Sequence, residues 1–184
     1  IRTHYYYTEA VTDELIEIMA REEKICNYID MPIQHINNNV LRKMARRTNR
    51  QEIEKTLKKI RQAMPDCIIR TSLIVGFPGE TEEEFSELFE FVKTGAFDRM
   101  GVFSYSQEEG TPAAEYDNQT DEDVKEDRLS RLMQLQQRIS LEKNKEKLSK
   151  TIKVLAEGYD EECYLYYGRS YGDSIGVDGK VYFA

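Results

Sequence analysis

The sequence predicts an α/β fold: a parallel sheet with right-handed crossovers, curved into a partial barrel or open as a doubly wound sheet, then a long helix and a small antiparallel β module. Three observations carry this. The run Ile68–Val75 is mostly apolar and β-branched, which suits a strand buried on both faces of a parallel sheet. Strand-like and helix-like stretches alternate as four βα-type units before residue 106. After residue 150 the period shifts towards two, the mark of extended chain.

In chain order, residues 1–8, with Tyr5, Tyr6 and Tyr7 in a row, are rich in aromatic and β-branched side chains and read as a strand whose tyrosines divide between core and barrel interior. Thr12 then precedes Asp13 and Glu14, a cap and an acidic first turn, and Leu15, Ile16, Ile18 and Met19 make the helix amphipathic. Residues 28–33 form a second strand ending at Gln34 and His35. Past a loop at Asn37, Asn38 and Asn39, Val40, Leu41 and Met44 start a short helix that runs into Arg46 and Arg47. Thr48 and Gln51 have capping-box spacing, and Ile53, Leu57, Ile60 and Met64 are the apolar stripe of the helix that Pro65 ends.

The strand Ile68–Val75 stops at Gly76, Pro78 and Gly79, and Thr81 with Glu84 repeats the capping box to open a helix over Glu82–Lys93. In α/β folds the carboxyl ends of parallel strands are where ligands bind, because loops vary there while strands hold position. Residues 99–105 are the next strand, and the polar stretch with Gly110, Pro112 and Asn118 is a linker. Residues 120–147 form a long helix that buries Leu129, Leu132, Met133, Leu135 and Ile139 and turns its charged and amide residues to water. Ile152, Val154 and Ala156, then 164–167, then Val181, Tyr182 and Phe183 after the Asp178-Gly179 turn signal, make the antiparallel module. The expected divisions are 1–117, 118–148 and 149–184. Three short strands alone leave an open edge, which predicts mobility there or pairing with a neighbouring molecule.

With 184 residues, 40% of them apolar, the chain is large enough for one full domain and a smaller appendage. No stretch approaches the ~18 consecutive apolar residues of a membrane span. No charged-then-apolar signal-peptide pattern is seen at the start, and the cysteine usage leads us to expect a reduced, cytoplasmic setting. Cys26, Cys67 and Cys163 lie far apart, with no C-x-x-C pair or disulfide framework, and read as mostly core thiols. The first residue is Ile1 rather than Met, and with a strand-like segment starting at once the sequence looks like a piece cut from a longer chain.

The net charge of −8 is unevenly spread: residues 42–61 hold nine Lys/Arg against two Glu, residues 78–127 sixteen Asp/Glu against three Lys/Arg. An acidic chain argues against tight nucleic-acid binding, which needs clustered cations, and suits a basic protein partner. His4 and His35 have no Cys or carboxylate at ligand spacing, so no metal site is assigned, and His35 reads as a satisfied polar residue at the barrel mouth.

Longer motifs carry a family likeness. Tyr28-Ile29-Asp30-Met31-Pro32-Ile33-Gln34-His35, Val40-Leu41-Arg42-Lys43-Met44 and Ile74-Val75-Gly76-Phe77-Pro78-Gly79-Glu80-Thr81 resemble the second half of a radical S-adenosylmethionine (SAM) domain of the methylthiotransferase family. Phe103-Ser104-Tyr105-Ser106, Glu109-Gly110-Thr111-Pro112-Ala113-Ala114 and Leu135-Gln136-Gln137 extend the likeness. Gly168-Arg169-Ser170-Tyr171-Gly172-Asp173 resembles the TRAM module that closes these enzymes, although Ser174-Ile175-Gly176-Val177 departs from the family's usual loop. The implied architecture is the second half of a partial (β/α) radical SAM barrel, a long helix and an incomplete TRAM module. Pro32-Ile33-Gln34-His35 is more like the branch that modifies a small-subunit ribosomal protein than the transfer-RNA branch, and the acidic C-terminal module agrees.

The resemblance implies a cytoplasmic enzyme that uses SAM and two [4Fe-4S] clusters to place a methylthio group on the β-carbon of an aspartate. In the family the cluster cysteines lie upstream of the motifs matched here, and Cys26, Cys67 and Cys163 match none of them. This chain alone is therefore expected to hold no cluster and not to turn over, and no catalytic residue is assigned. What it retains is part of the SAM pocket. The resemblance puts Gln34 on the ribose hydroxyls, which its amide can both donate to and accept from, and Arg46 on the methionyl carboxylate. Ser72 and Ile74, on one side of their strand, fall near the methionine and adenine, and Val75, Gly76 and Phe77 supply backbone or apolar contact. Phe103 and Tyr105 share a strand face and either close over the adenine or pack in the core. The plainer readings are a strand-end backbone contact for Gln34 and a solvated helix end for Arg46. Two rival classes are a tRNA-modifying methylthiotransferase and a non-catalytic α/β binding module.

Overall fold

The computed structural model describes residues 1–184. Strands β1 (Tyr28–Asp30), β2 (Ile68–Val75) and β3 (Arg99–Ser104) form a parallel sheet in the order β1-β2-β3. Asp30 stands opposite Arg70, Ser72 opposite Gly101 and Ile74 opposite Phe103. The apolar run is thus the central strand. On one face Thr71, Leu73 and Val75 are buried. Helices α1 (Asp13–Arg21), α3 (Arg50–Ala63), α4 (Glu82–Lys93) and α5 (Glu122–Lys145) contribute Ile16, Ile53, Phe85 and Leu132 to the same core. Short helix α2 (Asn38–Lys43) follows β1. On the other face Arg70, Ser72 and Ile74 stay half-exposed, so the sheet keeps one open side.

Several expectations need correction. Residues 1–7 form no ladder: Tyr6 N–H reaches Asp30 O at 2.8 Å along the free edge of β1, while Tyr5 takes a left-handed φ of 66° that interrupts the run. Three parallel strands result instead of four. In 28–33 the ladder ends at Asp30, since Pro32 has no N–H to give, and resumes as a single bridge from Gln34 to Leu73. The cap of α3 is Asn49 with Glu52, one residue beyond the Thr48 and Gln51 expected. Residues 107–120 are not a free linker. They hold a 3₁₀ turn at Pro112–Glu115, and Gly79 N–H donates to Asn118 O at 2.8 Å. Helix α5 buries Lys125, Arg128 and Gln136 beside Leu132, contrary to the expectation that its polar residues face water. Only Cys67 is a core thiol, pushed up to about 12 by burial; Cys26 is half-buried and Cys163 exposed.

Strands β4 (Leu155–Asp160), β5 (Leu165–Arg169) and β6 (Val181–Phe183) form an antiparallel sheet with two open edges. Its loop 170–178 reaches into the amino-terminal end of the parallel sheet. The Asp173 carboxylate accepts from Arg99 Nη2 at 2.9 Å and Ser170 N at 3.0 Å, and Asp178 accepts from Tyr28 Oη at 2.8 Å. Asp173 is enclosed, so losing its charge leaves Arg99 with only the more distant Asp178 Oδ1, 4.0 Å from its Nε, in a poorly hydrated place. Asp173→Asn is expected to cost about 1–3 kcal/mol in urea unfolding and to speed amide exchange in β4 to β6 while β1 to β3 keep their protection. Equal acceleration in both sheets would refute this docking role. No helix is long and apolar enough to cross a membrane.

Candidate functional site

The carboxyl ends of the three parallel strands lie side by side. Gln34 N–H donates to Ser72 O at 3.0 Å, Ile74 N–H to Gln34 O at 2.9 Å, and Tyr105 N–H to Val75 O at 2.9 Å. Gln34 carries a left-handed φ of 69°, uncommon for a residue with a Cβ, and its carboxamide bonds to no group in the chain. Ser72 and Ile74 face the open side. Beside them Phe103 is 56% exposed, its ring lying over Gly101, where an added Cβ would come within 3.3 Å of it. Gln34, Ser72, Ile74 and Phe103 therefore share one uncovered surface.

The other candidates are placed differently. The Val75 side chain points into the helix-covered core and its carbonyl is taken by Tyr105, so only its backbone borders the mouth. Phe77 is buried, with its ring edge-on to Tyr105 at 5.2 Å and to Tyr116 at 6.3 Å. Tyr105 consequently packs behind the turn and not with Phe103, and its hydroxyl is enclosed without a partner. Arg46 lies at the free edge of β1, donating to Pro32 O with its guanidinium 5.2 Å from the centroid of the Tyr7 ring. The rest of its donor fork makes no bond in the chain. His35 is fully buried and only half satisfied: Nδ1 accepts from Asn37 N at 3.0 Å, and Nε2 has no partner. Burial lowers its pKa to about 4, against the pull of Glu84 and Glu87.

Sequence reasoning missed what stands behind the turn. Glu80, its side chain 0% exposed, accepts from Phe77 N at 3.2 Å and from Arg128 Nη1 at 3.1 Å. Burial outweighs both and pushes its carboxyl up to about 7. Lys125 covers Gly76, with Nζ on Glu122 Oε1 at 2.6 Å. The spacing of residues 125, 128 and 132 on one helix face was the available signal. A cavity of about 870 Å³ lies at the opposite end of the sheet between Ile68, Arg99, the end of α5 and Tyr171, away from the mouth. No group of three or more His, Cys, Asp or Glu side chains is gathered to hold a metal ion.

Residues 1–92 match the family model of the Radical SAM superfamily. The chain belongs to this superfamily. Over 183 residues this radical SAM chain is 51% identical to the ribosomal protein uS12 methylthiotransferase RimO of Clostridium botulinum strain Hall, taking in 100% of the chain and 41% of the relative. Against the same-named protein of Alkaliphilus oremlandii it is 47% identical over 182 residues, 99% of the chain and 42% of the relative. It thus spans about two fifths of the length of the curated relatives it matches. Among solved structures, archaeal Methanocaldococcus infernus Elp3 with an N-terminal deletion superposes with a TM-score of 0.54 over 90% of the chain and 51% of the other. At 13% identity that likeness speaks for the fold alone.

Proposed function

We propose that this chain forms the SAM-binding second half of a (β/α) barrel and the TRAM module of a cytoplasmic methylthiotransferase whose substrate is an aspartate of small-subunit ribosomal protein uS12. The observation that carries the reading is identity of 51% running through the whole chain. The mouth supports the cofactor: an unpartnered carboxamide on a strained backbone beside a half-open polar and aromatic surface fits a ligand with ribose hydroxyls and a flat base. SAM, together with an iron-sulfur cluster, would supply the radical chemistry needed to remove a hydrogen atom from an unactivated carbon.

This chain's residues bind and orient. Gln34 exchanges hydrogen bonds with the ribose, Ser72 with the methionyl end, and the free donors of Arg46 with its carboxylate. Ile74 and Phe103 exclude water from the adenine. Val75 and Gly76 contribute backbone, while Phe77 braces Tyr105 and touches no ligand. The net charge of −8 suits a basic ribosomal protein and not tight nucleic-acid binding. The clusters belong to the length of the relatives that this chain does not span, so the 184 residues alone give no turnover.

The test is a chimera in which this chain replaces the matching 183-residue stretch of the Clostridium botulinum relative. After reconstitution it is expected to methylthiolate uS12, detected by peptide mass, and Gln34→Ala is expected to weaken SAM binding by about tenfold. A chimera that binds SAM yet leaves uS12 unmodified overturns the substrate, and one in which Gln34→Ala changes nothing overturns the pocket.

A further inference from the structure

The turn that closes β2 is held by a helix beyond the stretch that the superfamily model matches, which ends at residue 92. Gly76 and Gly79 have φ of 70° and 73°, bending the backbone back so that the Glu80 carboxylate sits under the turn and receives Phe77 N–H at 3.2 Å. A carboxylate enclosed in this way needs a counter-charge. The cation bonded to it is Arg128 of α5, whose Nη1 donates to both the carboxylate and the main-chain oxygen of Glu80 at 3.1 Å. Three residues earlier on the same helix, the stem of Lys125 lies so close to Gly76 that an added Cβ would stand 2.3 Å from its Cγ.

We propose that α5 is a latch for the ligand mouth and that Arg128, acting through Glu80, is the positioning residue that sets the turn 76–80. The inference deepens the cofactor reading above and rests on it. Nη1 spans the two Glu80 oxygens while Nη2 lies 3.5 Å from Glu82 Oε2, so the planar fork fixes orientation as well as charge. Leu132, one turn further along α5, is wholly buried and anchors the helix in the core. When the Arg128 contact is lost, Glu80 no longer holds Phe77 N–H, the Phe77 ring leaves Tyr105, and the ends of β2 and β3 part. Ligand affinity then depends on a side chain that touches no ligand.

The experiment uses the chimera with two readouts: hydrogen exchange at the Gly76 and Phe77 amides without ligand, and equilibrium binding of S-adenosylhomocysteine. Arg128→Met is expected to speed exchange at those amides by about tenfold while Ile69 and Thr71 keep their protection, and to weaken binding by about tenfold. Arg128→Lys, which keeps the charge without the fork, falls between. The pair Glu80→Gln with Arg128→Met removes both charges of this buried ion pair together, so it regains the parental melting temperature while affinity stays low, which separates position from stability. Parental exchange and affinity in Arg128→Met overturn the proposal, and if that variant does not fold the same readouts on Arg128→Lys decide. A parent chimera that binds no S-adenosylhomocysteine sinks the cofactor reading, and exchange at the turn still decides whether Arg128 sets it.

Discussion

Gly76→Ala is expected to destabilise the chain by about 2–5 kcal/mol, the sum of about 1–2 kcal/mol for a left-handed backbone and about 1–3 kcal/mol for overpacking. Gly76 has φ 70°, and the new methyl would stand 2.3 Å from Lys125 Cγ and 3.2 Å from its Cβ. A surface lysine would swing aside. This one is 4% exposed, with its ammonium on Glu122 and 5.6 Å from the centroid of the Tyr105 ring, so its stem has little room. Gly95 is the control, because its φ of 74° is nearly the same and nothing lies within 4 Å of an added Cβ. Gly95→Ala should therefore register the backbone cost alone, about 1–2 kcal/mol. Urea midpoints at constant slope measure both. If the two variants cost the same, Lys125 yields freely and α5 does not press on the turn. Shortening Lys125 to alanine in the Gly76→Ala background should recover the difference.

That contact marks the boundary of what could be read from the sequence. The helix Glu82–Lys93 and its cap were legible because Thr81 and Glu84 are three residues apart and satisfy each other locally. The central strand was legible because Ile68, Ile69, Thr71, Ile74 and Val75 are β-branched and favour extension. Residues 1–8 have similar propensity, but a ladder needs every residue extended, and Tyr5 takes the left-handed region. Lys125 and Arg128 looked like a solvated face because charge inside a helix stripe makes sense only once the partner is known. Here the partner is Glu80, 48 positions earlier, in a turn that reads as mere punctuation. For the mouth, alternation placed Ser72 and Ile74 together and Val75 on the other face, as the structure has them. The separation of Phe103 from Tyr105 was not legible, since it depends on the Phe77 ring coming back over the strand end.

The enclosed groups behind the mouth also set how stability responds to pH, with two opposed contributions. Glu80 is raised from 4.5 to about 7, so between those values the native chain holds a proton that the unfolded chain has released, and stability falls as pH rises. His35 is lowered from 6.5 to about 4, so in that window the unfolded chain takes up a proton that the native chain refuses, and stability falls as pH drops. Each contribution is on the order of 3 kcal/mol at about 1.4 kcal/mol per pH unit, and across pH 4.5–6.5 the two cancel. The charged groups facing them are Arg128 of α5 and Glu84 of α4, with Glu87 also facing His35. The parent chain should therefore show nearly level stability from pH 5 to 6.5 in urea unfolding. Glu80→Gln removes one arm and should leave stability declining on acidification from pH 6.5. His35→Asn removes the other and should leave stability declining from pH 5 towards 7. A level profile in both variants would mean that neither group changes protonation between the folded and unfolded chain, and the turn behind the mouth would then be held by Arg128 and a carboxylate that stays ionised throughout.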